Sequence, residues 1–287
     1  MSQEFTISFE DVSICYGAFT AVHRLSFRVK RGEIFGLLGP NGEGKTTSFL
    51  SLTRQVKPVS GKILLLGQDI STHFDALRAR FGYVPDADNH IEEFTARQNL
   101  ALFADLYQAP RARIEECLRD VELLREADIP AKSFSRGMKK KLLLARELLH
   151  NPALLFLDEP TANLDVHSTA MIRKLLQRLA KQGTTILLTT HDMPEVEQVC
   201  DRVAIINRGK LVDLDSPVGF KSRNTERIVD VVVERGGVHE TITVHLNRPD
   251  ERLQLATLLS SEIPVTLHTR EFNFHQAFLK ITGEEYN

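Results

Sequence analysis

No uninterrupted apolar run approaches the roughly 18 residues needed to span a bilayer. The longest, such as Ala153–Leu157, are strand-sized. This chain is therefore not expected to form a membrane pathway itself. It also lacks an excess of either charge: 36 Lys+Arg against 38 Asp+Glu leave a formal net charge of −2. That balance argues against gripping nucleic acid through a strongly basic bulk field. Cysteine is scarce as well. Cys15, Cys117 and Cys200 are odd in number, widely spaced and form no CxxC pair, which excludes a disulfide scaffold and reads as a reducing compartment. All three are expected to be buried apolar residues. The first residues, MSQEFTISFE, carry acids and no apolar core, unlike a signal peptide.

What is present is ordinary globular composition, 42% hydrophobic and 26% charged over 287 residues. Alternation at Phe5, Ile7 and Phe9 and at Leu25, Phe27 and Val29 predicts early strands. An apolar strand follows at Glu33–Leu38, then a glycine-rich turn and a helix from about Gly44. Beyond residue 95 the period becomes helical. Leu100, Phe103, Ala104 and Tyr107 share one face, as do Ile114, Leu118 and Val121. Helices at Met138–Leu149 and Val166–Lys181 then alternate with buried strands at Ala153–Leu157, Thr184–Thr189 and Asp201–Asn207. Such alternation implies a parallel sheet covered on both faces. Past residue 222 the pattern changes. Two strands, Ile228–Val233 and Thr241–Leu246, flank Arg235-Gly236-Gly237, and helical patterns occupy Glu251–Leu259 and Asn273–Ile281. The expected division is 1–222, with a helical subdomain at about 87–150, and a small α+β tail at 223–287.

Gly39-Pro40-Asn41-Gly42-Glu43-Gly44-Lys45-Thr46 fits G-x-x-x-x-G-K-[ST] between a strand and a helix. A chain this long matches by chance roughly once in a hundred, and the strand–turn–helix setting lowers that further. Glycines let backbone N–H groups converge on phosphate oxygens, and the helix N-terminus adds its positive end. Lys45 suits the β- and γ-phosphates, and Thr46 suits Mg²⁺. Glu43 sets a negative charge in this loop and must point away from a nucleotide. Leu154–Leu157 delivers Asp158 and Glu159 at a strand end, a metal ligand and a group that polarises water. Apolar strands often end in acids, so this pair gains its meaning from the phosphate loop. Ser135 is a natural N-cap for a helix carrying Lys139-Lys140-Lys141. The plain reading is a capped helix with a solvated basic face; the sharper one is a second anion site.

Together these residues resemble the nucleotide-binding subunit of ABC transporters, over about residues 5–220 and in the family's motif order. Tyr16 matches the aromatic that stacks on adenine. Gly39 to Thr46, with Thr47, match Walker A. Ser135 and Gly137 match the core of the signature LSGGQ. Asp158 and Glu159 match Walker B and the catalytic glutamate, Ala162-Asn163-Leu164-Asp165 the D-loop, and His191 the switch histidine. The resemblance implies an α/β P-loop core of ABC type with an antiparallel β subdomain and a helical subdomain. It implies ATP and Mg²⁺, and a head-to-tail pair of cassettes with ATP between the phosphate loop of one and the signature helix of the other. It also implies a separate membrane permease, served from the cytoplasmic face and driven in export, through the loop around Asp86 to Gln98. Nucleic acid is not expected as a partner.

The chain departs from the family pattern at several positions. Asp86 stands where the lid loop usually carries Gln, and is expected to serve the metal. Phe134, Arg136 and Met138 replace Leu, Gly and Gln of the signature. Ser-Arg-Gly-Met forms are similar to those in cassettes of small bacterial two-subunit exporters, as is the closing segment Phe274–Gly283. Two other readings compete. A soluble ABC protein acting on ribosomes or DNA usually fuses two cassettes or carries a long coiled-coil insertion, and this chain has neither. A silent regulatory cassette conflicts with intact Lys45, Asp158, Glu159 and His191.

Overall fold

Strand alternation folds the first third of the chain as read. In the computed structural model, which describes residues 4–224, 228–270 and 274–283, β1 (Phe5–Tyr16) and β2 (Phe19–Lys30) form a hairpin. β3 (Ile34–Leu38) leads into α1 (Lys45–Leu52), followed by β4 (Ser60–Leu65), β5 (Gln68–Asp69) and α2 (Ile70–Arg78). β6 (Phe81–Val84) precedes three helices, α3 (Ala96–Leu106), α4 (Ala112–Asp120) and α5 (Arg136–Leu148). Then come β7 (Leu154–Asp158), α6 (Val166–Lys181), β8 (Thr185–Thr190), α7 (Met193–Val199), β9 (Arg202–Asn207) and β10 (Lys210–Asp215).

Two sheets result among the described residues of this first unit. One is antiparallel, in the order β2-β1-β4-β5. The other runs β10-β9-β3-β8-β7-β6, parallel except for β10. β3, β7 and β8 are buried at every position, which explains the short apolar runs within them. The sheets share one core. Phe27 stacks between Phe9 at 4.5 Å and Phe35 at 5.2 Å, and Phe156 meets Phe49 and Phe81.

The helical subdomain is fixed by caps and apolar stripes. Thr95 and Gln98 form a reciprocal capping box that starts α3. Leu100 and Ala104 are fully buried, Phe103 lies 4.4 Å beneath the Arg146 guanidinium, and Tyr107 packs on His150. Ser135 caps α5 by accepting a hydrogen bond from the Met138 amide at 3.2 Å. The solvated basic face expected for this helix is not found. Lys140 and Lys141 are buried, because α5 lies between the sheet and its sister helices. Cys117 and Cys200 are buried as expected, but Cys15 is only half-buried, near the end of β1.

The chain divides into compact units between Ser216 and Pro217, a few residues before the 222/223 division read from the sequence. The second unit contains α8 (Pro217–Asn224), β11 (Ile228–Arg235), β12 (Val238–His245), α9 (Pro249–Ser261), β13 (Thr266–Arg270) and α10 (Phe274–Thr282). Its sheet is antiparallel, in the order β12-β11-β13. Val229, Val231 and Val233 bury one face beneath Leu255 and Leu258, and Phe220 meets Phe274. Asn273, where the sequence starts the last helix, lies outside the described residues.

Candidate functional site

Three loops leave the parallel sheet at one level. Leu38 pairs with Thr190 across β3 and β8, and Asp158 with Thr189 across β7 and β8. The glycine-rich loop, the two carboxylates and His191 therefore emerge side by side, with β8 between the first two. This carboxyl edge is where ligands bind in open α/β sheets.

The loop needs its glycines for space. A Cβ on Gly39 would lie 2.3 Å from the Ile206 carbonyl oxygen. One on Gly44, at φ +89°, would lie 2.4 Å from that of Ala21. Lys45, the first residue of α1, is buried, and its Nζ donates to the carbonyl oxygens of Gly39 at 2.5 Å and Pro40 at 2.8 Å. Burial pushes its pKa down, against the opposing pull of Glu159, Asp158 and Glu43. Asn41, Gly42 and Thr46 are exposed, Pro40 and Thr47 half-buried. Glu43 has one carboxylate oxygen buried without a hydrogen-bond partner.

Beside the loop, the Thr46 hydroxyl donates to Asp158 Oδ1 at 3.4 Å. The same carboxylate oxygen accepts from the Thr189 hydroxyl, which in turn accepts from the Glu159 amide at 3.1 Å. Glu159 adopts φ +48°, and its Oε1 lies 3.0 Å from His191 Nδ1. Its side chain is 15% exposed and that of His191 56%, so the pair opens outward. Thr189 was not singled out from the sequence. Two hydroxyls closing an otherwise apolar buried strand were the available signal.

The remaining candidates make no hydrogen bond to this cluster, although the segment carrying Asp86 leaves β6 beside the end of β7, where Val84 pairs with Leu157. Tyr16, at the turn end of β1, is 48% exposed. Ser135 is committed to capping α5. A Cβ on Gly137 would meet Ser168 Oγ at 2.7 Å and Asp165 Oδ2 at 3.2 Å, so α5 abuts the start of α6. Asp165 caps α6 through the Ser168 amide at 2.8 Å, and that hydrogen bond holds its pKa down. Asp86 follows β6 with its side chain 67% exposed, 3.9 Å from the buried Lys140 ammonium.

A buried carboxyl, Glu195, carried no sequence signal. Glu195 of α7 accepts from the Thr161 hydroxyl at 2.6 Å, and burial raises its pKa. It ties the segment after Glu159 to the helix after His191.

Residues 22–162 match the family described as ABC transporter. The chain is 35% identical to the Nod factor export ATP-binding protein I of Sinorhizobium fredii, over 98% of this chain and 87% of that protein. It is also 35% identical to a fluoroquinolones export ATP-binding protein of Mycobacterium tuberculosis, over 92% of this chain and 88% of the relative. Among solved structures, a dimeric ATP-binding cassette in a post-hydrolysis state with ADP and Pi superposes with a TM-score of 0.68 at 25% identity, covering 73% of this chain and 98% of that one. No helix among the described residues is long and apolar enough to cross a membrane. With its glycine-rich loop, paired carboxylates and His191 on one sheet edge, and with relatives matched over most of their length, the chain belongs to the ABC transporter family as one of its ATP-binding, ATP-hydrolysing subunits.

Proposed function

We propose that this subunit drives export through a separate membrane permease, as one half of a head-to-tail pair of identical cassettes held peripherally at the inner face of the membrane. The observation that carries the hydrolytic part is the linked set Thr46–Asp158–Thr189–Glu159–His191 beside a buried lysine. Export rests on the named relatives. Their cargoes differ, so the cargo is left open.

Lys45 exchanges the Gly39 and Pro40 carbonyls for the β- and γ-phosphates, while Gly39–Thr47 offers amides and Tyr16 stacks on adenine. Thr46 and Asp158 suit Mg²⁺. They already share a hydrogen bond, and both are hard oxygen donors. When bound, the ion neutralises charge on the phosphates. Asp86 would be a further carboxylate available to it. Glu159 polarises the attacking water, and His191, hydrogen-bonded to it, holds the γ-phosphate side. Ser135 and Gly137 of one protomer, beside Asp165, complete the phosphate cage of the other.

A mixed dimer tests the arrangement. Lys45→Ala on one chain and Ser135→Arg on the other put both lesions in one composite site and leave the second intact. One ATP bound per mixed dimer is expected. Two equally crippled sites would contradict the head-to-tail pairing.

A further inference from the structure

α5 runs along the segment that carries Asp86 and grips it at successive points. His90 Nε2 lies 2.8 Å from the Lys139 carbonyl. Arg146 Nη1 donates to Asn89 Oδ1 at 2.7 Å, and the Tyr83 amide donates to Glu147 at 3.2 Å. His150, just past the helix, lies 3.0 Å from the Phe81 carbonyl. These contacts flank Asp86 without touching it.

Lys140 reaches Asp86 itself. Its side chain is only 6% exposed, and Nζ donates to two successive carbonyls, Pro85 at 2.9 Å and Asp86 at 3.2 Å, with Asp86 Oδ1 at 3.9 Å. An ammonium is costly to bury, and burial accordingly lowers its pKa. An exposed surface lysine would incur no such cost, and an apolar residue would leave both carbonyls without this donor. What the ammonium adds is a fixed attachment for a backbone that β6 no longer pairs beyond Val84. The same helix begins about one and a half turns earlier at Ser135.

We propose that Lys140 is a positioning residue that locks the Asp86 loop to α5, so that this loop of one nucleotide site moves as one body with the Ser135 cap serving the other. The coupling rests on the head-to-tail reading; the lock does not. A ligand that draws in the Asp86 loop shifts the cap only if the two are rigidly joined.

The test uses the full chain with Lys140→Met, which fills similar volume and removes every donor, and Lys140→Arg, which restores charge and donors. Amide hydrogen exchange without nucleotide reads the lock. The amides of Tyr83 and Ile91 should exchange at least about tenfold faster in Lys140→Met, with those of β7 and β8 unchanged. The Hill coefficient of ATP-dependent turnover reads the coupling. It should exceed 1 in the wild type, fall to 1 in Lys140→Met and recover in Lys140→Arg. Should Lys140→Met fail to fold, Lys140→Ala, which also lacks a side-chain donor, takes its place. Unchanged exchange overturns the lock, and faster exchange with an unchanged Hill coefficient overturns the coupling. A hyperbolic wild type whose Glu159→Gln form still dimerises with ATP also overturns the coupling. Loss of that dimer removes the head-to-tail reading, and the coupling with it.

Discussion

Replacing Glu159 by Gln separates chemistry from binding. The side chain keeps its length, and the amide at residue 159 keeps its hydrogen bonds to the hydroxyl and carbonyl oxygens of Thr189. Gln can still meet His191 Nδ1, since either group can donate. What disappears is a carboxylate able to polarise water. Loss of such a group costs about 10²- to 10⁴-fold in turnover, or about 3–5 kcal/mol of barrier. Binding moves the other way. Glu159 is the foremost negative charge acting on Lys45, and the same charge repels a triphosphate. Removing it should tighten nucleotide by about 1 kcal/mol, roughly fivefold. Steady-state phosphate release with Mg²⁺ measures the first effect, and equilibrium titration with ATP the second. Size-exclusion chromatography should show an ATP-trapped dimer. Turnover within about twofold of wild type would remove Glu159 from the proposed role. Weakened ATP binding would mean that its charge does not face the nucleotide.

Asp86→Asn keeps turn geometry and removes a charge, so ATPase activity should need more Mg²⁺ while the melting temperature holds; superimposable Mg²⁺ curves would leave Asp86 as a turn residue. Glu195 supplies a pH test. Burial raises its carboxyl above 4.5, so the stability that this group contributes is complete below about that pH and is lost as pH rises through its higher folded value. Glu195→Gln, neutral throughout, should flatten the fall in urea midpoint as pH rises above about 4.5, and parallel profiles would refute the assignment. Cys15, half-buried, should react first with a thiol reagent. Cys117, pushed up to about 11 by burial, and Cys200, whose thiol burial raises well above its ordinary value, should react only on unfolding; early labelling of Cys200 would contradict its packing.

The sequence showed most clearly what is periodic or spaced along the chain. Val166–Lys181 appears as α6 with the same ends because Asp165 caps it and its apolar stripe is regular. β3 and β7 were legible as apolar runs, and β8 as a short apolar centre between threonines. Short elements such as β5, α2 and β13 went unread, since their few residues carry too little pattern. Nor could spacing reveal that three consecutive lysines divide between surface and interior. That depends on α5 being enclosed on more than one side, a tertiary fact. The site followed the same rule. The short motifs Gly39–Thr46 and Asp158-Glu159 stand out as patterns along the chain, whereas the contacts of Thr189, Lys140 and Glu195 are with partners remote in sequence.

The left-handed backbone at Glu159 has a consequence of its own. A non-glycine residue held at φ +48° sits about 1 kcal/mol above its relaxed state, and glycine or asparagine would bear that geometry more easily. Conformational preference alone would thus favour an inert residue at the position where the proposed chemistry needs a carboxylate. Fold stability and turnover pull in opposite directions there, so a glutamate at this point is retained by its chemistry, and a cassette released from hydrolysing ATP could become more stable by losing it.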